Sequence, residues 1–245
     1  MPKWIVAAVV ALATAGPAHA VVQGRPDTGL ARHALMVLND RGAFCSASLI
    51  APTVLLTAAH CVTGANAYRV HYKDGGGQPV MLEPAKIAVH PGYDAGAVKG
   101  RRRSIDMALV RLTAPLPGFE PIGLSQAGRP GPNARLTVAG YGLGVEGSAV
   151  SGGQFRTAEL GVIEPFGPSS ILVWLTDPAT GRNASGAGAC QGDSGGPILD
   201  GGGVIAVTVW AEGAGKARCG ALTQGLLVGP QRGWIDGVLG GWGVR

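Results

Sequence analysis

The sequence predicts an all-β fold assembled from many short strands. Gly supplies 42 of the 245 residues and Pro 17, a density that interrupts long helices. Short β-branched or alternating runs recur between clusters of Gly, Pro, Asn and Asp, as in a sandwich or in barrels. With 46% hydrophobic and 14% charged residues, the chain holds enough apolar material for one large domain or two small ones and is not disordered.

At the N-terminus stand Lys3, an apolar run from Trp4 to Ala15, a Gly16-Pro17 break and then Ala18-His19-Ala20. This order reads as a signal peptide over residues 1–20, because the run falls short of the roughly 20 apolar residues that a spanning helix needs. Residues 21–245 are therefore expected to be secreted or periplasmic, with no stable membrane insertion after cleavage. Loss of Lys3 takes the formal charge from +5 to +4. The densest basic cluster, Arg101-Arg102-Arg103, reads as a solvated loop, and no nucleic-acid partner is expected.

Strand-like runs follow at Ala34–Leu38, Ser48–Ala51, Val54–Thr57, Tyr68–Tyr72, Lys86–His90, Ala108–Leu112 and Arg135–Ala139. The pattern resumes at Arg156–Ile163, Ile171–Leu175, Pro197–Leu199 and Val204–Trp210. Between the two sets, Thr113–Pro132 carries Pro115, Pro117, Pro121, Pro130 and Pro132, too many ring-locked residues for a central strand or a helix interior. It reads as the crossing between two β units. The segment Gly233–Leu239 is expected to close the chain as a short helix packed through Trp234, Ile235 and Val238, although Gly237 weakens it.

Four cysteines in an exported chain suggest two disulfides, and counting alone leaves three pairings open. The strongest chemical signal is Gly192-Asp193-Ser194-Gly195-Gly196. A serine between glycines lets a substrate carbonyl approach its hydroxyl and lets backbone N–H groups point inward. The nucleophile elbow of α/β-hydrolases also reads G-x-S-x-G, but there the acid and then the histidine follow the serine. All five histidines, at 19, 33, 60, 71 and 90, precede Ser194, so that design has no base. The other order, histidine then acid then serine, is available: His60 sits in Leu56-Thr57-Ala58-Ala59-His60-Cys61, and Asp106 opens Asp106-Met107-Ala108-Leu109-Val110.

Through Leu56–Cys61, Ser104–Leu112 and Gly188–Pro197 the sequence resembles the trypsin/chymotrypsin family of serine proteases. Weaker echoes extend the match through Phe44–Ile50, Val138–Gly142, Arg156–Leu160, Val209-Trp210 and Trp234-Ile235. The resemblance implies two antiparallel six-stranded β-barrels, at about 30–120 and 133–230, with the active site between them and a closing helix at about 233–239. It also implies the pairs Cys45–Cys61 and Cys190–Cys219, each worth a few kcal/mol.

The same resemblance implies a monomeric serine endopeptidase acting on proteins or peptides. Ser194 would be the nucleophile, His60 its general base and Asp106 the group that orients and stabilises the imidazolium, with the backbone N–H groups of Gly192 and Ser194 holding the oxyanion. No cofactor is expected, and no metal, since His33, His71 and His90 lack partners at ligand spacing. The alternative is a family member that binds partners without cleaving them.

In this family a new N-terminal ammonium folds inward onto the acid that precedes the nucleophile. A cut after Ala20 exposes Val21-Val22-Gln23-Gly24, so Val21 and Asp193 form the expected activation pair, and signal cleavage alone is expected to switch the enzyme on. Burial of the pair would raise the amine above its usual ~7.7–8.0, and activity should fall in alkali.

The primary pocket is expected to be neutral. Gly188 stands at its base, where a basic-specific enzyme would carry a carboxylate, Ala189 is next to it, and Gly225 is matched to the facing wall. Trp210 and Ala211 form the edge. Val209 falls where the family commonly has a serine supporting the acid, with Thr208 as the replacement if the alignment slips by one. Glu212 and Lys216, in a lengthened stretch, are positioned to reach the cleft.

Overall fold

A computed structural model describes residues 21–100, 102–163 and 169–244, without the side chains of 98 and 99. The signal peptide expected at 1–20 and Arg101 of the basic cluster lie outside the described residues. Among the described residues fourteen strands run in chain order: β1 (Arg25–Pro26), β2 (Ala34–Asn39), β3 (Phe44–Ala51), β4 (Val54–Thr57), β5 (Tyr68–Lys73), β6 (Pro79–Leu82), β7 (Lys86–Val89), β8 (Ala108–Arg111), β9 (Arg135–Gly140), β10 (Arg156–Ile163), β11 (Leu172–Thr176), β12 (Pro197–Leu199), β13 (Val204–Glu212) and β14 (Leu222–Leu227). All ladders are antiparallel. Three strands escaped the sequence reading: β1 and β6 contain a proline each, and Gln224-Gly225 interrupts the apolar pattern of β14.

The second unit closes. Its strands run β10-β11-β14-β13-β12-β9, and β9 pairs back onto β10, giving a six-stranded barrel with β1 attached along β10. Leu136, Val138, Leu160, Val173, Leu175 and Ile198 fill its interior.

The first unit does not close as the sequence reading expected. Its seven strands run β6-β5-β2-β3-β4-β8-β7, and the outer pair β6 and β7 share no ladder, so this sheet is a half-barrel. Both edge strands span only four residues and are half-exposed. Pro79 removes a donor at one edge, so that edge cannot pair fully. Leu35, Leu49, Leu55, Leu56, Met107 and Leu109 pack beneath it, and this core continues into Leu199, Val204, Val207 and Ile235 of the second half.

The proline-rich crossing forms no strand. It is held by Ile122 N–H on the Leu49 carbonyl at 2.7 Å and by an isolated bridge from Leu124 to Val204. The closing helix spans Arg232–Gly241 and buries Ile235 completely. No helix among the described residues is long and apolar enough to cross a membrane.

Candidate active site

The apolar strand β4 ends in a 3-10 turn at Ala59–Val62, which presents His60 to solvent while Ala59 and Cys61 stay buried. Strand β8 pairs with β4 so that Thr57 lies opposite Ala108, which brings Asp106, just ahead of β8, beside His60. Two contacts join them. His60 Nδ1 lies 2.6 Å from Asp106 Oδ2, and the His60 backbone N–H donates to Oδ1 at 2.9 Å. The second contact fixes the carboxylate plane, so the first also fixes the ring.

Neither Val209 nor Thr208 supplies a supporting hydroxyl. Val209 packs against the core, and Thr208 Oγ1 is buried without a hydrogen-bond partner. The described hydrogen bonds to the Asp106 carboxylate come from His60.

The Ser194 turn leans against the same corner. Ser46 N–H on β3 donates to the Ser194 carbonyl at 2.8 Å, and Gly195 N–H donates to the Thr208 carbonyl at 2.7 Å. Gly195 has φ +81°, and a Cβ there would lie 2.1 Å from Thr57 Oγ1 and 3.0 Å from Ala58 N, so only glycine allows the turn to approach the histidine loop this closely. Among the described residues no hydrogen bond within 3.5 Å links Ser194 to His60, a separation common in unliganded sites.

Within the turn, Asp193 N–H donates to the Cys190 carbonyl and Gly196 N–H to the Asp193 carbonyl. The N–H groups of Gly192 and Ser194 make no hydrogen bond among the described residues. Unspent N–H donors in the serine turn are what an oxyanion requires. Ser46, which the sequence reading passed over, props this arrangement: its Oγ donates to the Gly192 carbonyl at 2.8 Å and accepts from Tyr141 N–H at 2.8 Å. Its position beside Cys45 was the available signal.

Asp193 is wholly buried. It accepts from Gly142 N–H at 2.8 Å and Cys190 N–H at 2.9 Å, and Val21 N–H donates to it as well. Burial pushes its pKa up to about 7, against the opposing pull of these N–H donors and the Arg156 charge. Val21 itself is fully buried with φ +48°, and the Val22 carbonyl accepts from Gly188 N–H at 3.2 Å.

The cysteines form two disulfides, Cys45–Cys61 and Cys190–Cys219. They tie the histidine turn to β3 and the serine turn to the 213–219 loop. Among the described residues, Cys45, His60 and Cys61 cluster within metal-ligand reach, and both sulfurs are committed to the disulfide, so the group has no thiolate to offer.

At the pocket, Ala189 is buried, and its N–H donates to Thr223 Oγ1 at 3.0 Å. A Cβ on Gly188 would touch Gly220 Cα at 3.0 Å and Thr223 Oγ1 at 3.4 Å. Thr223, not Gly225, therefore faces Gly188. Gly225 points into the barrel core, where a Cβ would meet Ile198, Val173 and Ala206 within 3.0 Å. Trp210 is 37% exposed and meets Trp174 edge to face at 6.3 Å. With Arg182 and Glu212, these rings line an open cavity of about 390 Å³. Lys216 is exposed and makes no hydrogen bond or ion pair among the described residues.

Comparison with known proteins agrees with this architecture. A family model described as Trypsin matches residues 21–225. A trypsin of Saccharopolyspora erythraea is 29% identical over 211 residues, covering 78% of this chain and 89% of that one. Trypsin delta of Drosophila erecta is 30% identical over 181 residues, covering 69% of each chain. Among solved structures, neuropsin, a serine protease expressed in the limbic system of mouse brain, superposes with a TM-score of 0.71 at 21% identity, covering 89% of this chain and all of that one. By its family match, its relatives and its fold, the chain belongs to the trypsin family and is a serine-type endopeptidase.

Proposed function

We propose that the protein is a secreted endopeptidase that cleaves peptide bonds through an acyl-enzyme on Ser194. His60 takes the Ser194 proton as the oxygen attacks, Asp106 stabilises the imidazolium, and His60 then protonates the departing amine. Gly192 and Ser194 N–H hold the oxyanion. Water, with His60 again as base, releases the acid product. The observation that carries this reading is the Asp106–His60 pair set against a serine turn in which the Gly192 and Ser194 N–H groups make no hydrogen bond among the described residues.

Activation is read as a cut after Ala20, which converts the Val21 N–H on Asp193 into an ammonium. The buried position of Val21 supports this. A neutral primary pocket is supported by Gly188, Ala189 and Thr223, none of which carries charge, so an apolar P1 side chain is expected over Arg or Lys.

The deciding experiment treats the enzyme beginning at Val21 with a phosphonylating reagent and profiles it on a peptide library. Labelling at Ser194, absent in Ser194→Ala, with cleavage after apolar residues, supports the reading. An unlabelled, folded enzyme overturns it.

A further inference from the structure

Arg156 is the bulkiest of the fully buried side chains, at 1% exposure. A guanidinium keeps its charge in a protein, and a buried charge persists where an opposite charge or good acceptors answer it. Asp193 is the one fully buried acid among the described residues.

Strand register relates the two. Arg156 on β10 lies directly opposite Gly140 on β9, and opposed residues of an antiparallel pair project to the same face of the sheet. A Cβ on Gly140 would lie 2.3 Å from Asp193 Oδ1, so the face from which Arg156 rises is the one that holds the Asp193 carboxylate. The missing side chain at 140 is the space that carboxylate fills. The Arg156 charge acts on Asp193 across this gap, and Arg156 Nη2 donates to Gln154 Oε1.

Around Asp193, β9 and its continuation bring Gly140 and Gly142, β3 brings Ser46, and the N-terminal segment brings Val21. Among the described residues only β10 adds a charged side chain.

We propose that Arg156 is a positioning residue for the nucleophile turn: a permanent cation that shares the Asp193 charge with the amine formed at Val21, and keeps Gln191–Gly195 in working shape when that amine loses its proton. The proposal rests on the reading of Ser194 as nucleophile. It is not a catalytic role, since Arg156 is sealed away from substrate.

The consequence is an alkaline plateau. The Val21 amine titrates and Arg156 does not, so reactivity falls with rising pH only to a residual level. The test measures the phosphonylation rate of Ser194 from pH 7 to 10 in the enzyme beginning at Val21, in Arg156→Met and in Arg156→Lys, with folding followed by near-UV circular dichroism. The expected result is a plateau in the parent, a further loss of about tenfold or more at pH 10 in Arg156→Met relative to its own maximum, and in Arg156→Lys the parent profile near pH 7 with the plateau lost toward pH 10, since a buried ammonium titrates where a guanidinium does not. If Arg156→Met does not fold, a folded Arg156→Lys with that late loss still supports the charge role. A profile for Arg156→Met that superimposes on the parent, or a folded Arg156→Lys that keeps the parent plateau to pH 10, overturns the proposal. An unlabelled parent instead overturns the reading of Ser194.

Discussion

His60 is bound to Asp106 twice, through ring Nδ1 at 2.6 Å and through its own backbone N–H at 2.9 Å. The backbone contact anchors the acid to the turn that carries the histidine, so the ring tautomer is set by a group that cannot swing away. Asp106→Asn would preserve the shape and present an amide donor to Nδ1, which strands the proton on the nitrogen that should face Ser194. Expected is a fall in kcat of about 10⁴-fold with little change in KM, the scale seen for this substitution in another serine protease. Steady-state kinetics on one peptide substrate checks it.

Gly195→Ala should damage folding and reactivity together. The new methyl would lie 2.1 Å from Thr57 Oγ1 and 2.3 Å from the Ser46 carbonyl, at φ +81°. Backbone strain of this kind costs about 1–3 kcal/mol before any clash is counted. The thermal unfolding temperature and the Ser194 labelling rate of the variant would both be lowered, and an unchanged labelling rate would contradict the close approach of the two loops.

Replacing Cys45 and Cys61 together by Ala should lower stability by about 3 kcal/mol, because the bond closes a loop with a sequence separation of 16. Guanidinium unfolding of the pair of substitutions in a Ser194→Ala background, free of self-digestion, gives the value. Activity in the Ser194 background should fall as well, since Cys61 follows His60.

If the proposed neutral pocket holds P1, Thr223→Asp should turn it toward Arg and Lys. An aspartate there can accept from Ala189 N–H as Thr223 Oγ1 does, while placing a charge beside Gly188. Peptide-library cleavage should show the ratio of basic to apolar P1 preference rising about tenfold or more. No shift would mean that the recess beside Gly188 is not where P1 binds.

The uncut chain should carry a pH-dependent weakness at Asp193. Its folded pKa is raised from 3.8 to about 7, so the stability it contributes is complete below about 3.8 and is lost as pH rises through about 7. In uncut Ser194→Ala protein, the Tm relative to the Ser194→Ala, Asp193→Asn variant should therefore decline between pH 4 and 7. In the cut form the ammonium at Val21 should flatten that decline.

Much of the site was legible because its signals are local. The glycines around Ser194, the small residues before His60 and the acid at the mouth of β8 each declare a backbone demand in a few adjacent residues. Their chain order separated two hydrolase designs without any structure. The proline run 115–132 announced a crossing for the same reason, since a ring-locked residue acts where it stands.

What the sequence could not declare were contacts made across strands. β13 bulges between Thr208 and Trp210, so Thr208 pairs with Gly225 but Trp210 with Gln224. Counting along the chain therefore put Gly225 in the pocket wall, whereas Thr223 is the residue beside Gly188. The same register decides that Thr208 Oγ1 ends buried and unpartnered rather than on Asp106.

By itself, then, the sequence determined the all-β class, the family, and the histidine-acid-serine order, because each is written in residue type and near-neighbour spacing. Tertiary structure alone decided that one sheet closes and the other stays open, that Thr223 faces Gly188, and that Arg156 lies opposite Gly140, beside the Asp193 carboxylate. The physical reason is the two-residue repeat of a strand: a shift of one residue sends every side chain to the opposite face, and pairing between distant segments sets that shift.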